Sequence, residues 1–131
     1  MATFQRFEEI EAWKKARELT KDVYKITHNS KFAKDYGLRD QICRASVSVM
    51  SNIAEGFERD GTREFVQFLS IAKGSIGEIK SQLYVALDQE YIQKVEFERI
   101  FNKAEETGRM IGGLMQYLKK VNLKGIKYRE N

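Results

Sequence analysis

The sequence predicts an all-α protein, an antiparallel up-and-down four-helix bundle. Three observations carry this. Apolar residues recur at steps of three and four in four successive segments, the spacing of one helix face. Proline, the strongest internal helix breaker, is absent from all 131 residues. No segment sustains the every-second-residue alternation of a half-buried strand.

The first segment runs from about Glu8 to Thr27, with Ile10, Trp13, Ala16, Leu19, Val23 and Ile26 on one face. Glu8, Glu9 and Glu11 favour the positive end of its dipole, and Asn29-Ser30 ends the pattern. The second runs from about Leu38 to Arg59, with Leu38, Ile42, Ala45, Val49 and Ile53 on its face and Gly56 near its end. Asp60-Gly61 makes a tight stop. The third runs from Thr62, read as its N-cap, to Leu87; Phe65, Leu69, Ala72, Ile76, Ile79 and Leu83 form its stripe. The fourth runs from Lys94 to Val121, with Phe97, Phe101, Ala104, Gly108, Ile111, Met115 and Leu118 in line. Gln93 is a poor N-cap for it. Each segment has about 20 residues or more and so spans ~30 Å. Similar lengths and short connections favour antiparallel neighbours. Residues 1–121 form one bundle domain, and 122–131 are expected to be a basic, mobile tail.

Composition narrows the classes further. A chain of 15.3 kDa with 42% apolar and 32% charged residues is globular rather than disordered. Its longest uncharged run, Ala45 to Ala54, is about half of the ~20 residues that a membrane span needs. The first residues carry no apolar signal region, so a cytoplasmic location is expected. A single cysteine, Cys43, excludes an internal disulfide and suits a reducing compartment. A single histidine, His28, removes most zinc sites, and no Glu-x-x-His pair supports a di-metal bundle. The net charge of +4 is unevenly spread. Residues 8–118 are close to neutral, whereas Lys119, Lys120, Lys124, Lys127 and Arg129 face Glu130 alone.

Three helices carry more apolar surface than a lone bundle uses. Beside the core stripe of the second lie Val47, Met50, Ala54 and Phe57; beside that of the fourth lie Met110, Leu114 and Tyr117. On the third, Ser70, Gly74, Gly77 and Ser81 fall opposite the core stripe. Glycine inside an exposed helix costs ~1 kcal/mol relative to alanine, so two on one line imply a close approach. Gly112 and Gly113 imply the same. These residues are the candidate interface of a homo-oligomer, since so wide an apolar arc would otherwise be an exposed patch.

Catalytic chemistry has little to stand on. Gly74-Ser75-Ile76-Gly77 lies within a helical pattern, not in a phosphate loop between strand and helix. Cys43 and His28 form a conceivable nucleophile and base, but a small buried thiol and a helix-terminal imidazole explain both. The best polar constellation is the stripe Arg44, Ser48, Ser51, Asn52 and Glu55, read as a solvated or interface face, with a ligand groove as the alternative. Arg44 and Glu55 are three turns apart, ~16 Å, and cannot pair along one helix. No catalytic, cofactor or metal residue is assigned. The tail residues Lys119, Lys120, Lys124, Lys127, Tyr128 and Arg129 suit nucleic acid, since cations hold phosphates and an aromatic ring stacks on a base.

The run Tyr36-Gly37-Leu38-Arg39-Asp40-Gln41-Ile42, then Arg44-Ala45-Ser46-Val47-Ser48 and Ser51-Asn52-Ile53-Ala54-Glu55-Gly56-Phe57, resembles the 23S rRNA-intervening-sequence protein family. Phe68-Leu69-Ser70-Ile71-Ala72-Lys73-Gly74-Ser75, Glu78 and Gln82-Leu83 continue it, and Phe7-Glu8 through Trp13 to Ala16 resembles the family's first helix. The resemblance spans about Phe7 to Leu118. It implies a four-helix bundle, bacterial, similar in fold to the accessory variability proteins of diversity-generating retroelements. Those form pentameric rings, bind nucleic acid and work with a reverse transcriptase, so the resemblance implies a homopentamer, RNA or DNA, and a nucleic-acid enzyme as partners. It transfers no catalytic residue. The chain departs from many relatives in lacking a proline at Val49-Met50 and near Ser30-Lys31, and its body is neutral where the retroelement proteins are strongly basic.

The sequence thus points to a non-enzymatic, oligomeric, nucleic-acid-associated accessory protein. The alternative is a structural or protein-interaction scaffold without a nucleic-acid role.

Overall fold

A computed structural model describes residues 4–130, with side chains through residue 121. The described residues are all-helical. A 3-10 turn, Phe7–Glu9, leads into α1 (Glu11–Ile26), a short α2 (Ser30–Lys34), α3 (Tyr36–Glu58), α4 (Thr62–Asp88) and α5 (Lys94–Glu130). Among the described residues no helix is long and apolar enough to cross a membrane.

The four long helices form a ring in which α3 packs against α1 and α4, and α5 against α4 and α1. Paired positions run in opposite directions at each junction. Ser48 meets Ser75, while Gly56 meets Phe65 and Phe68. Lys80 meets Glu105, while Ile76 meets Gly108. Lys15 meets Glu106, while Asp22 meets Arg99. Thr20 meets Ser46, while Thr27 meets Cys43. This is an antiparallel up-and-down register.

The helix ends differ from the sequence reading in instructive ways. The first helix does not begin at Glu8. Ile10 adopts an extended conformation between the 3-10 turn and α1, which sends its side chain into the core. The pattern of α1 ends before Asn29 as read, but a short helix absent from the sequence reading follows, α2, which buries Phe32 completely. α3 begins two residues early because Asp35 caps it, its Oδ1 accepting from the Leu38 amide at 3.1 Å. Thr62 is not the N-cap of α4. Gly61 takes that place with φ +117, a conformation that favours glycine, and no side chain caps the helix. At α5 the weak Gln93 position is reinforced from inside, since the Glu96 carboxylate accepts from the Gln93 amide at 3.3 Å. α5 is continuous past Val121 to Glu130; the expected mobile tail falls on residues outside the described side chains.

The core is continuous along the bundle. All six predicted α4 positions, Phe65, Leu69, Ala72, Ile76, Ile79 and Leu83, are buried. The α5 stripe is turned toward α1 relative to the sequence reading. Ile100 and Thr107 are fully buried there, while Phe101 and Gly108 are half-exposed. Thr107 is tolerated because its hydroxyl donates to the Lys103 carbonyl at 2.7 Å. Gly56 is a point of close approach between α3 and α4. A Cβ there would lie 2.8 Å from the Phe68 Cβ and 2.9 Å from the Phe65 ring.

Candidate functional site

Among the described residues, neither the Cys43 and His28 pair nor a metal-holding cluster is assembled. No group of three His, Cys, Asp or Glu side chains is placed to hold a metal. Cys43 and His28 line one cavity of about 340 Å³ at the junction of α1, α2 and α3. Their polar atoms are engaged elsewhere. The His28 Nδ1 meets the Tyr24 carbonyl, and the Cys43 Sγ meets the Thr27 hydroxyl at 3.7 Å. Burial pushes the Cys43 thiol above its ordinary value, against the opposing effects of the Thr27 hydroxyl and of Arg39. A thiol so held is not an activated nucleophile.

The polar stripe of α3 divides. Ser48 and Asn52 turn toward α4. The Asn52 amide donates to the Ser48 carbonyl at 2.8 Å and to its hydroxyl at 3.0 Å, and Ser75 of α4 donates to that hydroxyl at 3.0 Å. Glu55 pairs along its own helix with Arg59 at 3.7 Å, not with Arg44. Ser51 is exposed. Arg44 and Ser48 border a groove of about 440 Å³ between α3 and α4, joined by Gln41, Ser75, Glu78 and Gln82. Gln82 keeps its Oε1 buried with no hydrogen-bond partner among the described residues. Sequence spacing alone does not single out Ser75, Glu78 and Gln82 as a site, although their steps of three and four on α4 mirror those of the α3 stripe.

The candidate subunit surface also divides. Met50, Phe57, Met110 and Leu114 are half-buried and pack against the chain's own core. Ala54 and Tyr117 are half-buried as well, whereas Val47 is exposed. The apolar arcs of α3 and α5 are thus partly covered within one chain, where Phe4, Phe7 and Trp13 also pack against the core. The α4 line behaves differently. Ser70, Gly74, Gly77 and Ser81 are all exposed, and a Cβ on Gly74 or Gly77 would meet nothing within 4 Å. The close approach inferred for these glycines is not made by the chain itself. Ile71 beside them is 53% exposed.

Charges are distributed just as unevenly. Between α1 and α5 they are matched. Asp22 accepts from Lys103 at 2.7 Å and pairs with Arg99 at 3.2 Å, while Lys15 reaches Glu18 and Glu106. Between α4 and α5 lies a groove of about 530 Å³ bordered by Lys73, Lys80, Glu105 and Arg109, with Gly77, Gly108, Gly112 and Gly113 along it. Lys80 pairs with Glu105 at 2.7 Å and holds that carboxyl below its usual range; Arg109 adds a longer ion pair at 3.9 Å. Lys119 and Lys120 are exposed farther along α5. Lys124, Lys127, Tyr128 and Arg129 lie outside the described side chains.

Comparison with known proteins agrees with this architecture. Residues 8–113 match a family described as 23S rRNA-intervening sequence protein. No curated protein matches the chain. Among solved structures, the chain is similar to a protein with unknown function from the S23 ribosomal protein family of Bacteroides thetaiotaomicron. The TM-score is 0.73 at 24% identity, over 79% of this chain and 97% of that one. That likeness concerns the fold.

Proposed function

This chain belongs to the 23S rRNA-intervening sequence protein family, and on that premise we propose that it is a non-enzymatic, oligomeric helical bundle that associates with nucleic acid. The observation that supports the reading is the placement of charge. Residues 8–118 are near neutral, the excess lies in 119–131, and Lys119 and Lys120 stand exposed on α5. Phosphate binding needs such exposed cations. A ring of identical subunits, for which we propose the five of the retroelement accessory proteins, would present these segments together and multiply weak interactions.

The test is fluorescence polarisation of labelled structured RNA and DNA against the full chain at ~50 and ~200 mM salt. Binding that is tight at the lower salt and collapses at the higher is the expected result. No binding at either salt overturns the reading. A second reading, a protein-interaction scaffold, is favoured by the exposed, uncharged line Ser70, Gly74, Gly77 and Ser81 on α4. It predicts a defined oligomeric mass in solution together with indifference to nucleic acid.

A further inference from the structure

The groove between α4 and α5 carries a surplus of positive charge, most of it from α4. On α4, Lys73, Gly77 and Lys80 follow at steps of four and three, which puts them on one face. On α5, Glu105, Arg109, Gly112, Gln116 and Lys119 follow the same rhythm. The two faces border one groove, in which Lys73 extends over α5 so that its Nζ would lie 3.6 Å from a Cβ on Gly112. Three cations, Lys73, Lys80 and Arg109, stand in the groove against the single carboxylate of Glu105, and Lys119 follows on α5 one turn beyond the lining residue Gln116. Only Lys80 is tightly paired with Glu105, and Arg109 is 72% exposed. The matched ladder between α1 and α5 shows that this imbalance is local to one side of the bundle.

We propose that this groove is a second nucleic-acid surface, a track for a phosphodiester backbone that leads along α5 to the basic segment beginning at Lys119. The proposal rests on the nucleic-acid reading above and adds residues to it. From Glu105 to Lys119 the track is ~21 Å long, enough for several phosphates. A Cβ on Gly77 or Gly113 would meet nothing within 4 Å, so a backbone can approach the helices there without side chains in the way. The same surplus disfavours a second copy docking face to face through this groove, since like charges would oppose each other.

The experiment uses the full chain and a labelled single-stranded RNA, with a DNA of the same sequence as the companion arm. Three variants are compared with the parent. Lys73→Gln with Arg109→Gln removes two groove cations. Lys124→Gln with Lys127→Gln and Arg129→Gln neutralises the terminal segment and leaves the groove intact. Glu105→Gln removes the one acid. The groove double variant is expected to bind more weakly and to lower the salt slope by about 1.4, roughly 0.7 for each single-strand phosphate that no longer meets a cation. Glu105→Gln is expected to bind more tightly, a gain that misfolding cannot mimic. If the parent binds but neither groove variant changes affinity or slope, the groove is overturned and the nucleic-acid reading stands. If the parent binds neither RNA nor DNA, that reading fails and the groove with it. If the double variant changes the mass in solution but not RNA affinity, the surface serves protein association and the proposal is overturned.

Discussion

The Tyr91 hydroxyl donates to Oδ2 of Asp35 at 2.9 Å while Oδ1 of the same carboxylate caps α3 through the Leu38 amide at 3.1 Å. One side chain thus starts a helix and ties it to the α4–α5 connection, 56 residues away. The Tyr91 ring also stacks near the buried Phe32 ring, with centroids 5.2 Å apart. Asp35→Ala removes both bonds and should cost more than a cap alone, which is about 1 kcal/mol. Tyr91→Phe removes only the tie and should lower the melting temperature less. In the double variant the two effects should not add, because they share one carboxylate. The bond to Asp35 raises the Tyr91 ionisation above its ordinary value. Its contribution is therefore complete below the unfolded tyrosine range and is lost as pH rises through the raised folded value. Denaturant melts of parent and Tyr91→Phe should converge in strong alkali; a constant gap between them would refute this.

Two glycine-to-alanine changes should act in opposite directions. Gly56→Ala puts a Cβ against the Phe65 and Phe68 side chains where α3 meets α4. Overpacking of this kind costs about 1–3 kcal/mol. Gly77→Ala meets nothing within the chain and should stabilise the isolated bundle by ~1 kcal/mol through helix propensity. Urea unfolding of the two variants side by side checks both signs. A Gly77→Ala chain that is no more stable, or whose mass in solution falls, would show that a partner uses this face.

α4 ends on a left-handed residue that is not glycine. Glu90 has φ 61, and the bonds Tyr91 to the Ala86 carbonyl at 2.9 Å and Glu90 to the Leu87 carbonyl at 3.0 Å close the helix in a Schellman pattern. Glycine is the usual occupant there because a side chain is strained in this conformation. Glu90→Gly should therefore stabilise the fold by up to about 1 kcal/mol, set against the greater freedom glycine gives the unfolded chain. An unchanged or lower melting temperature would mean that the Glu90 side chain makes up the strain.

Cys43 should react slowly. Burial raises its ionisation, so little thiolate is present near neutral pH. Alkylation of the native chain should lag behind that of the urea-unfolded chain and accelerate only well above the ordinary thiol range. Equal rates for the two forms at neutral pH would contradict the burial seen around it.

The sequence alone determined the four long helices, the absence of strands among the described residues and most of the core. Helical periodicity is local, and the α4 stripe from Phe65 to Leu83 is buried as its spacing requires. The tertiary structure decided which way α5 faces. Ile100 and Thr107 enter the core because α5 sits between α4 and α1, and a helix wheel records spacing but not neighbours. It also decided which polar residues meet. Ser48 and Ser75 are 27 positions apart and bond only because the antiparallel register of α3 and α4 puts them opposite each other. Lys73 and Arg109 are ordinary surface cations on their own helices, and their charges add only where those helices pack. A side chain's period is written in its own segment, whereas its partners are set by how segments pack, and charge and hydrogen bonding act between partners.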